Sequence, residues 1–283
     1  MTVGQSCPAC GDPVDASWSF CRSCGAERDA GLGMVQQTIE PSEEDRRLAS
    51  LPGGEEVRWS VAGAGLTFLL SLVATAVVAA ILAATSSPDP TSAEADRMTV
   101  IALIANQFAL FGATTYFVLR RGGSFRALGF RKPNLDAVGK GVAAGLLGVL
   151  LSAVVAVVVQ LIAKAATGEA PADPEQIPLE SSPAGWIFFA LAISTMILAP
   201  IAEETYFRGM LHQAIRRHTG LWAGILLSSV AFAVVHVIPL VIPSIFALAI
   251  LLAFAFEKER TIWVPIIAHA TFNVVGFWAS FIA

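Results

Sequence analysis

From residue 60 onward the chain is a succession of apolar runs, each about as long as a bilayer is thick, and this restricts it to a bundle of membrane-crossing helices. A helix that spans the hydrocarbon core needs about 20 apolar residues. The runs are 60–84, 98–119, 136–163, 185–202, 221–238, 243–256 and 262–281. The sixth is short and reads as tilted, partial or re-entrant. A polar helical stretch, Glu203 to His218, follows the fourth run and either continues it or forms a separate membrane-level helix. The expected fold is therefore all-α, a polytopic transmembrane helical bundle of seven or eight spans. Composition agrees: 14% of residues are charged, against about 25% in a soluble domain. A net charge of −4 shows no nucleic-acid footprint, so the expected partner is the lipid bilayer. The first apolar run starts too late for a secretory signal peptide.

The first residues are of another kind. They hold all four cysteines of the chain, Cys7, Cys10, Cys21 and Cys24, as C-P-A-C-G and C-R-S-C-G. Two such C-x-x-C knuckles fit four thiolates around one tetrahedral Zn²⁺. Gly11 and Gly25 follow each knuckle and let the backbone turn toward the sulfurs. Two disulfides or four unrelated thiols are the competing reading. Residues 1–28 are thus expected to form a small zinc ribbon, in which Zn is a structural cofactor and which offers a surface to an unidentified partner. A segment so short needs such a staple. Residues 29–58 read as a linker, with Pro52-Gly53-Gly54 as a helix breaker and Arg58-Trp59 placed as a membrane-interface anchor. Residues 59–283 form the membrane domain.

Lys and Arg accumulate on the cytoplasmic side of membrane proteins. Arg120, Arg121, Arg126, Arg131 and Lys132 follow the second run, Arg216 and Arg217 end the polar helix, and Lys258 and Arg260 precede the last run. The loops 85–97 and 164–184 are acidic. Seven spans with a cytoplasmic N-terminus place every basic loop inside. The thiols would then lie in a reducing compartment, which favours zinc over disulfides.

Three polar clusters interrupt the late apolar runs: Glu203-Glu204-x-x-x-Arg208, Phe232-x-x-x-His236 and His269-x-x-x-Asn273. Ionisable groups inside spans are costly and usually face a bundle interior where they serve function. Positions i and i+4 share a helix face, so Glu204 and Arg208 can pair. Glu203 is rotated away by about 100° and stays free to act as a general base on a water. His236 can share that water. His269 and Asn273 project from one face and can donate to a developing oxyanion. Metal coordination by Glu203, His236 and His269 is the competing arrangement, although H-E-x-x-H is absent. Structural readings exist too: an interfacial ion pair for the first cluster, interhelical hydrogen bonds for the others. Phe232 is expected to pack on His236. His212 and His218 read as solvated or interfacial, and Gly141, Gly145 and Gly148 as helix-packing contacts. Simple counting puts Glu203 and His236 near opposite membrane faces, so the helices must be long and tilted, or the fourth must dip and return.

The segments E-E-T-Y-F-R, F-A-V-V-H and H-A-T-F-N, within residues 185–281, resemble the motifs of the CPBP family, the CAAX-protease and bacteriocin-processing (Abi) membrane endopeptidases. The resemblance implies an intramembrane protease with a cytosol-facing cavity. It puts the base on Glu203, its partner on His236, the oxyanion role on His269 and Asn273, and supporting roles on Glu204 and Arg208. It leaves a metalloprotease and a glutamate-dependent mechanism both open.

The expected function is hydrolysis of peptide bonds in membrane-associated or prenylated CAAX-type proteins, with a protein or peptide substrate as partner. The alternatives are a silent scaffold or immunity protein that recruits a partner through the ribbon, and a proton-coupled transporter. The Ala/Val-rich composition suggests a prokaryotic plasma membrane.

Overall fold

The computed structural model describes residues 51–54, 57–86, 91–169 and 185–282, and the backbone of four two-residue strands before them. The chain divides into two compact units, Met1–Arg46 and Arg47–Ala283. In the first, Gln5–Ser6 pairs antiparallel with Pro13–Val14, and Arg28–Asp29 with Gly33–Met34. Cys7, Cys10, Cys21 and Cys24, on which the expected zinc site falls, lie outside the described residues, as do most of the acidic loop 164–184 and Asp89.

The second unit is helical among the described residues. Its helices are α1 (Val61–Thr85), α2 (Ser92–Arg120), α3 (Leu135–Thr167), α4 (Trp186–Thr219), α5 (Leu221–Val234), α6 (Ile242–Glu259) and α7 (Trp263–Ile282). Local chemistry starts them. Ser60 accepts from Gly63 N at the head of α1, Thr91 and Glu94 form a capping box on α2, and Asn134 accepts from Ala137 N on α3. Each cap satisfies an amide that the first turn leaves without an intrahelical partner.

Helices α1 to α4 are long and apolar enough to cross a membrane, while α5 and the apolar part of α7 are shorter. Outward-pointing side chains on α1 and α3 are apolar and open: Leu69 is 59% exposed and Leu150 66%. Such surface belongs against lipid, and the chain is an integral membrane protein.

The polar stretch 203–218 continues the fourth span. Helix α4 is unbroken over 34 residues but contains two wide π turns, Ser194–Leu198 and Thr205–His212. At 1.5 Å per residue, Glu203 lies about 25 Å from either end. Helix α5 then runs back from Gly220 for 14 residues, about 21 Å, which carries His236 back to the depth of Glu203. The opposite-face placement expected from counting is thereby corrected: the span was taken to end near 202, whereas α4 reaches 219 and α5 retraces its second half.

Helices α5 and α6 form a short hairpin. Its turn holds His236 and Val237, the latter at φ 53°, an uncommon conformation for a β-branched residue. Non-helical backbone at membrane depth is tolerated only within protein or along a hydrated cavity.

Helix α7 packs against α3 through the glycine stripe. A Cβ at Gly141 would lie 2.6 Å from Ile267, one at Gly145 2.6 Å from Thr271, and one at Gly148 2.7 Å from Leu248 of α6. These glycines let three helices close on each other, as expected. The basic connections converge on one end of the bundle, where Trp263 Nε1 donates to Arg131 O and Lys140 pairs with Glu259. The segment before α1 departs from a free linker: Leu51, Val57 and Trp59 are core residues. Trp59 is 1% exposed, so it does not anchor at the lipid interface, whereas Arg58 is exposed.

Candidate active site

The middle of α4 lies against α2 and α7, and its Thr205–His212 turn also touches α5 and α6. Glu204 and Arg208 sit there at 0% and 1% side-chain exposure, with Nη1 to Oε1 at 2.8 Å. Two buried charges hold at such depth only when paired and hydrogen-bonded. The guanidinium also donates to Ala249 O of α6 at 3.1 Å and stacks 4.4 Å from the Phe232 ring centre on α5. The i, i+4 pair is the one expected, and three helices meet on it.

His269 comes from α7. Its Nδ1 lies 2.9 Å from Glu204 Oε1. A carboxylate that already accepts from arginine can only accept again, so Nδ1 carries the proton and Nε2 is the open position. Nε2 lies 4.0 Å from Glu203 Oε2, and the Glu203 side chain is 18% exposed. A water about 2.8 Å from both atoms would subtend about 90°, which suits one bridging molecule. Glu203 is thus the carboxylate left outside the arginine pair, as expected. Its neighbour is His269 where His236 was expected, because α7 packs directly on the central part of α4.

His236 occupies the α5–α6 turn, half-buried. Its Nδ1 donates to Phe232 O at 2.9 Å, since a carbonyl cannot donate. Nε2 is again the position that remains. Phe232 is the hub, with ring centres 5.1 Å from His236, 5.7 Å from His269 and 4.9 Å from Phe207. The expected Phe232–His236 contact is present, and the same ring spaces the two imidazoles.

Asn273 does not pair with His269. Its Nδ2 donates to Thr195 O at 2.7 Å, a carbonyl in the first π turn of α4. An amide nitrogen carries two protons, and one remains for another acceptor.

A cavity of about 450 Å³ opens beside the network. Its polar wall includes His236, His269, Asn273, Ser152, Gln160 and Ser244, and the remainder is apolar, from α3, α5, α6 and α7 and the α5–α6 turn. Glu203 does not line the cavity; His269 touches both the carboxylate and the cavity. Among the described residues no three His, Cys, Asp or Glu side chains are grouped to hold a metal ion.

A second polar cluster gathers around His212, a residue expected to be solvated or interfacial. His212 is 0% exposed, 2.7 Å from Glu257 Oε1 and 3.3 Å from Ser228 Oγ. Arg216 Nε also lies 2.8 Å from Glu257. His212 is therefore a clamp across α4, α5 and α6. Its place in a basic stretch disguised this, because the partner carboxylate is 45 residues away. His218 is exposed, as expected.

The π turns and the carbonyls of Thr195 and Ala249 had no local signal. A wide turn is a tertiary compromise without a residue signature, and any residue can supply a carbonyl.

Residues 184–275 match the family described as "Type II CAAX prenyl endopeptidase Rce1-like". The chain is 34% identical over 83 residues to the "Putative membrane peptidase YdiL" of Bacillus subtilis (strain 168), across 29% of this chain and 34% of that protein. It thus spans about a third of that relative's length. No solved structure matches it. The stretch that matches the family contains Glu203, Glu204, Arg208, His236, His269 and Asn273.

Proposed function

We propose that this chain is an intramembrane endopeptidase whose base is Glu203. The observation that carries the reading is one half-buried carboxylate left beside an imidazole, next to a second carboxylate whose Oε1 accepts from both Arg208 and His269. Water bound between Glu203 Oε2 and His269 Nε2 gives a proton to Glu203 while its oxygen attacks the scissile carbonyl carbon. The remaining Asn273 N–H supports the oxygen that becomes negative. Glu203 returns the proton to the leaving amine as the C–N bond breaks. Glu204 and Arg208 hold His269 in orientation, and His236 Nε2 orients substrate or water from the cavity wall.

The substrate class is a membrane-associated protein, and a prenylated CAAX-type segment suits both the apolar cavity and the family description. Cys7, Cys10, Cys21 and Cys24 hold one structural Zn²⁺ in this reading. Purified protein in lipid nanodiscs, given a farnesylated CAAX peptide and an unprenylated counterpart, tests the activity. Cleavage by the native chain and at least a hundredfold loss in Glu203→Gln support it. Equal cleavage by both chains refutes the role of Glu203.

A further inference from the structure

Residues 51–54 and 57–59, just before α1, are bound to the bundle through three carbonyls, one backbone N–H and one indole N–H. Arg131 Nη2 donates to Pro52 O at 2.9 Å, Arg217 Nη1 to Val57 O at 3.1 Å, and Arg260 Nη2 to Leu51 O. The three guanidinium groups come from the α2–α3 loop, the end of α4 and the α6–α7 turn. Leu51, Val57 and Trp59 fill the core beneath them, none more than 1% exposed. Gly53 N donates to Gln213 Oε1. A Cβ at Gly53 would overlap Ala127 O and lie 2.7 Å from that same Gln213 oxygen. Only glycine fits there, and Gly54 follows at φ 65°, where glycine is also favoured.

These contacts converge on one feature of α4. Gln213 Nε2 donates to Gly209 O at 2.6 Å, and Trp59 Nε1 donates to Met210 O at 2.9 Å. Gly209 and Met210 belong to the π turn that also contains Arg208. A π turn is rare and is found mostly as a single wide turn at functional sites. Two of its carbonyls are bonded by side chains, one by Trp59 of the segment and one by Gln213 of α4 itself, which also accepts from Gly53 N.

We infer that residues 51–54 and 57–59 form a strap that holds the Thr205–His212 turn in its π register and so fixes Arg208 against Glu204, the carboxylate that also accepts from His269. Trp59 and Gln213 are positioning residues for the site. The control of catalysis rests on the endopeptidase reading; the control of register does not.

Hydrogen exchange on the full chain in nanodiscs tests the strap without any substrate. In Trp59→Phe, which keeps a ring and removes the donor, exchange across 205–213 should rise roughly tenfold, with 263–279 unchanged. Gly53→Val should do the same by lifting the strap. Arg58→Ala, beside Trp59 but exposed, should match the native chain. Peptide cleavage should fall in kcat with KM unchanged in Trp59→Phe. Native exchange at 205–213 in Trp59→Phe overturns the strap, and so does a uniform rise over all helices, which would mean general loosening. A local rise in a chain that cleaves nothing, native or variant, sustains the strap and sinks the endopeptidase reading instead.

Discussion

Arg208→Met, compared with the double variant Glu204→Gln/Arg208→Met, isolates what holds the centre of α4. In the native chain Glu204 Oε1 accepts from both Arg208 and His269, while Oε2 is buried with no partner. Removal of the arginine leaves a carboxylate at 0% exposure with only the imidazole to balance it. Breaking a buried pair from one side costs about 3–5 kcal/mol. The cation–π contact to Phe232, worth about 2 kcal/mol when desolvated, is lost as well, though the two losses need not add. In a chain of this size 1 kcal/mol corresponds to roughly 2–4 °C in Tm, so Arg208→Met should melt roughly 10 °C below the native chain. The double variant removes the stranded charge and should recover at least half of that loss, with no recovery of cleavage. Thermal unfolding in one detergent, followed by tryptophan fluorescence, reads both numbers. A double variant no more stable than Arg208→Met would refute the claim that an uncompensated carboxylate dominates.

Gly145→Val should lower Tm through overpacking of about 1–3 kcal/mol, because its Cβ meets Ala268 O and Thr271, whereas Gly139→Ala, with open space around its Cβ, should not lower it. His212→Ala leaves Glu257 with Arg216 but removes the buried imidazole that joins it to Ser228, and should cost about 1–3 kcal/mol in unfolding experiments, while His218→Ala should match the native chain. Atomic emission on purified protein should find one zinc per chain, lost in Cys7→Ser and Cys21→Ser and retained in Glu203→Gln.

The helical class was legible because apolar run length reports directly on span length, and the i, i+4 pairing of Glu204 with Arg208 followed from helix geometry alone. The polar clusters stood out because charge at membrane depth is rare and marks itself. What could not be read were relations between segments. Nothing near Glu203 states that α4 continues to Thr219, since Glu203, Glu204 and Arg208 look like the end of an apolar run. Of the two alternatives, continuation of the span or a separate helix, the structure has the continuation, which also resolves the depth of His236. His269 and Asn273 share a face, yet one bonds α4 through Glu204 and the other through Thr195 O, because the π turns place different acceptors opposite each. Trp59 had the composition of an interface anchor and is a core donor, a difference that depends on where Met210 falls.

The central claim is that Glu203 activates a water for peptide hydrolysis within the bilayer. Comparing protein termini in native membranes that carry either the native chain or Glu203→Gln at matched abundance tests it most directly. The account predicts new termini with the native chain alone, clustered next to membrane-embedded or lipid-modified segments. Identical termini from two equally folded chains would contradict it.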